Sequence, residues 1–209
     1  MLEVIQLECA RGFRTLFTGL DFALHGGELL HVAGANGSGK TSLLRILCGL
    51  LAPVGGEVRW KRADIRSLGE EYRSQLLYIG HANGVKEELT PAENLAIACT
   101  LAGITAEEPA LETALHALGL AGYERSPVKT LSQGQRRRVA LARLAFGETR
   151  PLWILDEPFN ALDNRAVATV ESLIAAHLAR GAMVVLATHQ APPALAGRAQ
   201  RIDLPARAG

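Results

Sequence analysis

Gly34-Ala35-Asn36-Gly37-Ser38-Gly39-Lys40-Thr41 fits G-x-x-x-x-G-K-[ST], the loop that cradles the phosphates of a bound nucleotide. Its glycines let backbone N–H groups turn inward around phosphate oxygens, along a path that a Cβ would obstruct. Lys40 can then reach the β- and γ-phosphates, and the Thr41 hydroxyl can ligate Mg²⁺. Gly34, Asn36, Gly37, Ser38, Gly39 and Ser42 complete the candidate phosphate site. These residues need a strand to bring the chain in and a helix to take it out. Leu29-Leu30-His31-Val32-Ala33 supplies the first and Ser42-Leu43-Leu44-Arg45-Ile46-Leu47 the second. The phosphates would therefore sit at a helix N-terminus.

The rest of the chain reads as the scaffold for that loop. A length of 209 residues, 48% of them hydrophobic, suits one α/β domain, or one with a smaller subdomain inserted. Apolar segments at Leu2–Ile5, Leu20–Leu24 and Leu29–Val32 predict an antiparallel β-portion leading into the loop, with Gly55–Trp60 as a further hairpin strand. Gln75–Gly80, Trp153–Leu155 and Met183–Ala187 read as core strands, with a helix near Ala166–Arg180. That order predicts a mostly parallel sheet interrupted by a helical insertion over about 90–146. The insertion opens at Thr90-Pro91-Ala92-Glu93, where Thr is the cap, Pro takes the first helical position and Glu follows three residues on. Leu95, Leu111, Leu115, Leu118 and Leu120 fit its apolar faces. The Pro/Ala-rich tail after Gln190 leaves little room for a regulatory domain.

Composition narrows the class. A formal charge of +1 gives no argument for nucleic acid as a partner. No apolar run reaches the length of a membrane-spanning helix, and the N-terminus lacks the pattern of a signal peptide. Cys9, Cys48 and Cys99 are widely spaced and read as buried thiols of a reducing compartment. The expected location is cytoplasmic.

A second cluster of candidates lies at Leu152-Trp153-Ile154-Leu155-Asp156-Glu157, an apolar strand ending in two carboxylates. In phosphate-loop ATPases a strand-end Asp holds Mg²⁺, which assigns Asp156, and a following Glu can polarise the attacking water, which assigns Glu157 as general base. The third motif decides the class. Leu131-Ser132-Gln133-Gly134-Gln135, followed by a helix beginning Arg136-Arg137-Arg138-Val139, resembles the L-S-G-G-Q signature of the ATP-binding cassette (ABC) ATPases. Gln133 departs from the pattern while Ser132 and Gly134 remain.

The resemblance implies an α/β phosphate-loop NTPase of the ABC ATPase fold, a single domain over 1–209. About 1–89 and 147–209 would form the catalytic core, and about 90–146 the helical signature subdomain. It also implies a homodimer, in which the signature of one subunit closes over ATP held by the phosphate loop of the other. Ser132, Gly134, Gln135 and the helix N-terminus would face the γ-phosphate. Asn160-Ala161-Leu162-Asp163 looks like the D-loop, bringing Asp163 to the site, and Thr188-His189 looks like the switch histidine. His189 could contact the γ-phosphate and the attacking water. His25, His31, His116 and His177 read as structural, and most of Arg136–Arg138 and Arg143 as a solvated helix face.

Two positions depart from the family. Counting back from Leu89-Thr90-Pro91-Ala92-Glu93-Asn94, the usual Gln is replaced by His81. Imidazole is a poor substitute for a carbonyl on Mg²⁺, so His81 would bond a metal-bound water or relay motion to a partner. Near the N-terminus, either Arg11 or Phe13 would take the place of the aromatic that stacks on adenine. With these departures, Ile79–Thr90, Arg14–Phe17 and Leu131–Ala140 are similar to the CcmA-type ATPases of bacterial cytochrome c maturation. That similarity implies an ATP- and Mg²⁺-dependent subunit, peripheral on the cytoplasmic face of the inner membrane. Its partners would be a CcmB-type permease and associated maturation subunits, and the coupling surface would lie near Asn83–Glu88. It implies ATP hydrolysis that drives haem export or releases a haem-loaded chaperone. The alternatives are an ATPase of another ABC transporter, a soluble ABC protein of DNA repair or translation, and a simple phosphate-loop kinase. The last has no use for Leu131–Gln135.

Overall fold

The computed structural model describes residues 1–189, 195 and 199–205. Two sheets organise them. Strands β1 (Leu2–Arg11), β2 (Arg14–Leu24), β4 (Gly55–Trp60) and β5 (Ala63–Asp64) form an antiparallel sheet in the order β2-β1-β4-β5. Strands β3 (Leu29–Ala33), β6 (Leu76–Ile79), β7 (Leu152–Asp156), β8 (Met183–Ala187) and β9 (Ala199–Asp203) form a parallel sheet in the order β6-β7-β8-β3-β9. Both predicted portions are present. The terminal strands are longer than their apolar segments suggest, because alternation around bulges in β1 carries the ladder to Arg11. The reading of the tail after Gln190 falls mostly outside the described residues, within which it supplies β9.

Strands β3, β7 and β8 are buried along their whole length, as expected of parallel strands covered on both faces. Their side chains divide by parity. Leu152, Ile154, Met183 and Val185 join the core shared with the antiparallel sheet and helix α1 (Lys40–Leu47), whereas Trp153, Leu155, Val184 and Leu186 face the helical layer. Asp156 shares the parity of Ile154, and therefore comes up beside α1.

Short helices α2 (Ile65–Leu68) and α3 (Glu70–Arg73) lead into β6. Between β6 and β7 the described chain is helical: α4 (Pro91–Leu101), α5 (Glu108–Ala117) and α6 (Gln133–Leu141). Helix α4 begins at Thr90 with a complete capping box to Glu93, as its sequence predicts. Leu95, Leu111, Leu115, Leu118 and Leu120 all enter the core. Helix α7 (Asn164–Ala179) connects β7 to β8, and its buried His177 stacks on Trp153 with ring centroids 3.8 Å apart. The three cysteines are free and buried. Among the described residues no helix is long and apolar enough to cross a membrane.

Candidate nucleotide-hydrolysis site

The phosphate loop leaves β3 at Ala33 and enters α1 at Lys40, with Gly39 as the helix cap at φ +105°. That torsion favours glycine. Space is tight as well, because a Cβ on Gly39 would lie 3.2 Å from Leu16 and 3.3 Å from the Phe17 ring. The antiparallel sheet is thus pressed against the loop, and β2 helps to fix it. Lys40 Nζ is folded back, donating to Gly34 O at 2.8 Å and Ala35 O at 3.4 Å. Buried Ser38 Oγ has no partner. A loop with its ammonium parked on its own carbonyls is ready to exchange them for phosphate oxygens.

Opposite the loop stands the end of β7. Asp156 is 1% exposed and accepts from the Thr41 hydroxyl at 2.8 Å. Glu157 is also buried, with Oε1 3.6 Å from His189 Nε2 and Oε2 without a hydrogen-bond partner. Its backbone is left-handed at φ +49°, which turns the chain sharply off the strand. His189 is half exposed, and the carbonyl before it is held by buried His31, whose Nε2 lies 2.9 Å from Thr188 O. His31 is therefore structural, as expected, and it fixes the strand end that presents His189.

These groups line one open cavity of about 640 Å³. Asn36, Gly37, Gly39, Lys40, Thr41 and Ser42 form its phosphate side. Asp156, Glu157, His81 and His189 form the opposite side, and Arg11 lies at the rim. Gly34 and Ser38 belong to the loop without facing the cavity. A cationic loop at a helix N-terminus facing a buried carboxylate pair can hold a polyphosphate and activate water beside it.

A family profile described as ABC transporter matches residues 17–160. A cytochrome c biogenesis ATP-binding export protein CcmA of Dechloromonas aromatica (strain RCB) is 55% identical over 204 residues, covering 98% of this chain and all of that protein. The chain belongs to the ABC transporter ATPases, in their CcmA branch. Among solved structures, an ATP-binding subunit of an ABC transporter superposes with a TM-score of 0.80 at 29% identity, over 90% of this chain and 79% of that one. A dimeric ATP-binding cassette in a post-hydrolysis state with ADP and Pi shares the fold, with a TM-score of 0.78 at 23% identity over 91% and 88% of the two chains.

In this ABC ATPase the signature lies away from the cavity. Ser132 caps α6, accepting from Gln135 N at 3.2 Å, while Gln135 Oε1 accepts from Ser132 N at 2.9 Å. A Cβ on Gly134 would lie 2.4 Å from Ala161 O, so the signature is packed against the Asn160–Asp163 loop. Asp163 caps α7 and pairs with Arg138 at 2.8 Å. Within one chain, then, Ser132, Gly134, Gln135 and Asp163 are brought to each other but not to the phosphate loop.

At the base-stacking position Arg11 lines the cavity, whereas Phe13 is fully exposed at the hairpin tip. Arg14 and Asn160 also line it, and sequence reasoning missed both. The signal for Arg14 was present. A two-residue Gly12-Phe13 turn puts Arg14 directly opposite Arg11 across the hairpin.

The reading of the arginine run as a solvated face needs correction. Arg137 is buried and donates to four carbonyl oxygens, and Arg136 bonds Glu87 Oε1 at 2.5 Å and the carbonyls of Lys129 and Leu131. Arg143 is half-buried, and burial weakens its hold on its proton. Arg137 turns inward because the ends of β6 and β7 expose carbonyls that need donors.

Proposed function

We propose that this chain is the ATP-hydrolysing subunit of a membrane transporter complex for cytochrome c maturation, driving haem export or release of a haem-loaded chaperone. The observation that carries the reading is the convergence of Lys40, Asp156 and Glu157 on one cavity, in a chain that aligns over its whole length with a cytochrome c biogenesis export ATPase. ATP would enter with its phosphates on the α1 N-terminus, and Lys40 would leave Gly34 O for the γ-phosphate. Thr41 and Asp156 suit Mg²⁺, since both offer hard oxygens and they already sit within hydrogen-bonding reach of each other. Bound there, the ion would neutralise phosphate charge, taking its other ligands from nucleotide and water. Glu157, whose buried Oε2 has no hydrogen-bond partner, would accept a proton from the attacking water. His189, 3.6 Å from that carboxylate, would hold the γ-phosphate and align the water.

A second copy, arranged head to tail, would complete each site with its signature. The helical segment 90–146 would then move as a unit against the core. Closure would pass to the membrane partner, a CcmB-type permease, through the Asn83–Glu88 segment. Asn94 ties that segment to α4, its Oδ1 accepting from Lys86 N at 2.7 Å and its Nδ2 donating to Lys86 O at 3.0 Å. In that complex the chain would sit peripherally on the cytoplasmic face of the inner membrane.

The test is a deletion strain assayed for c-type cytochromes and complemented with wild type or Lys40→Ala. The expected outcome is loss of these cytochromes, rescue by wild type and no rescue by Lys40→Ala. Normal cytochrome levels in the deletion would remove the maturation role while leaving ATPase chemistry intact.

A further inference from the structure

Arg137 is the middle arginine of the run after the signature, and it is 4% exposed. Its Nη1 donates to Gly80 O at 2.8 Å and Asn83 Oδ1 at 3.3 Å. Its Nη2 donates to Asp156 O at 2.7 Å and Glu157 O at 3.0 Å. One guanidinium therefore joins three segments distant in sequence: signature helix α6, the end of β7, and the loop after β6 that carries His81.

The grip on β7 is specific to a strained residue. Glu157 is held at φ +49°, a conformation that a side chain other than glycine rarely adopts without compensation. Asp156 O and Glu157 O are the carbonyls on either side of the Glu157 Cα, and Nη2 bonds both. Among the described residues Arg137 has no carboxylate directly on its nitrogens, and its Nε lacks a partner. A buried cation satisfied by carbonyls is a costly way to make a helix stable. It is an effective way to fix the relative positions of the loops that supply those carbonyls, because the guanidinium fork is planar and its donors are rigidly spaced.

We propose that Arg137 is a positioning residue for hydrolysis, holding the strained Glu157 backbone and keeping it in register with the Gly80–Asn83 segment and the signature helix. The proposal rests on Glu157 being the general base. Movement of α6 against the core then misaligns the base and the His81 loop together. The rate of the chemical step would thereby depend on closure of the signature helix, without any change in the phosphate contacts.

The experiment compares Arg137→Lys, Arg137→Gln and Glu157→Gln in the full-length chain purified with its membrane partner. ATP affinity and turnover per nucleotide-binding site are measured separately. Arg137→Gln is expected to lower kcat by at least about tenfold while ATP affinity stays within about threefold of wild type. Lysine, which keeps the charge but not the fork, is expected to recover part of the loss. A purely structural role would reduce the number of binding-competent sites and the melting temperature but not kcat per site. Wild-type kcat per site in both Arg137 variants, with Glu157→Gln inactive, overturns the proposal alone. So does a loss of ATP affinity that matches the loss of turnover. Wild-type turnover in Glu157→Gln overturns the assignment of the base, and the proposal with it. If Arg137→Gln does not fold, the cycle of Asn83→Ala with Arg137→Lys decides. Less-than-additive loss of kcat supports the proposal, and strict additivity overturns it.

Discussion

The phosphate-loop face and the signature face of this ATPase are built from similar materials, but they are finished to different degrees. The first is assembled from residues of one chain. Its lysine, hydroxyl and carboxylates already converge, and Thr41 is bonded to Asp156 across 115 positions of sequence. The second spends its polar groups on itself. Ser132 and Gln135 cap α6, and Gly134 lies against Ala161. The lysine is parked on internal carbonyls, whereas the signature helix carries a complete capping box at its N-terminus. On the function proposed above, nucleotide binding would draw on one chain and hydrolysis on an assembly.

That contrast predicts separable failures. Glu157→Gln is expected to lower turnover by about a thousandfold while ATP binding persists, checked by phosphate release and equilibrium nucleotide binding. Equal loss of both would erase the distinction between the two faces. Next in size is an acid effect on the prebuilt half. Burial, with Arg180 nearby, depresses His177 to about 4 from an ordinary 6.5. The native state resists its protonation, so the contribution is fully present above pH 6.5 and is lost as pH falls toward 4. It amounts to roughly 3 kcal/mol. His177→Phe keeps a ring on Trp153, and its melting temperature should fall less than that of wild type between pH 6.5 and 4.

On the signature side, Gly134→Ala puts a Cβ 2.4 Å from the Ala161 carbonyl. The expected outcome is about a tenfold loss of turnover with unchanged ATP affinity, since the phosphate loop is untouched. An equal fall in affinity would mean that the faces are coupled within one chain. The smallest effect is expected at His81, which lines the cavity from an exposed loop. His81→Gln should support coupled turnover better than His81→Ala, by about a fewfold. Equal activity of both with wild type would remove His81 from the switch.

Much of this was legible before any coordinates. Glycine spacing, a capping box and an apolar strand ending in two carboxylates are local signals, and each is read within about ten residues. The fate of the arginine run was not. Three adjacent arginines look alike as a string, yet Arg136 pairs with Glu87, Arg137 is buried on carbonyls, and Arg138 pairs with Asp163. Helical rotation of about 100° per residue sends neighbours to different surroundings. Asn160 was missed for a related reason: its place at the cavity follows from the sharp turn at Glu157 and not from its own type.

By itself the sequence determined which groups could carry phosphate chemistry and which strands and helices would hold them, because phosphate cradling and amphipathic packing are written in local order. The tertiary structure alone decided that Asp156 meets Thr41, that Arg11 and not Phe13 faces the cavity, and that the signature turns away from it. Those outcomes depend on which strands are neighbours and on the parity with which each presents its side chains. Both are settled by packing across the whole sheet.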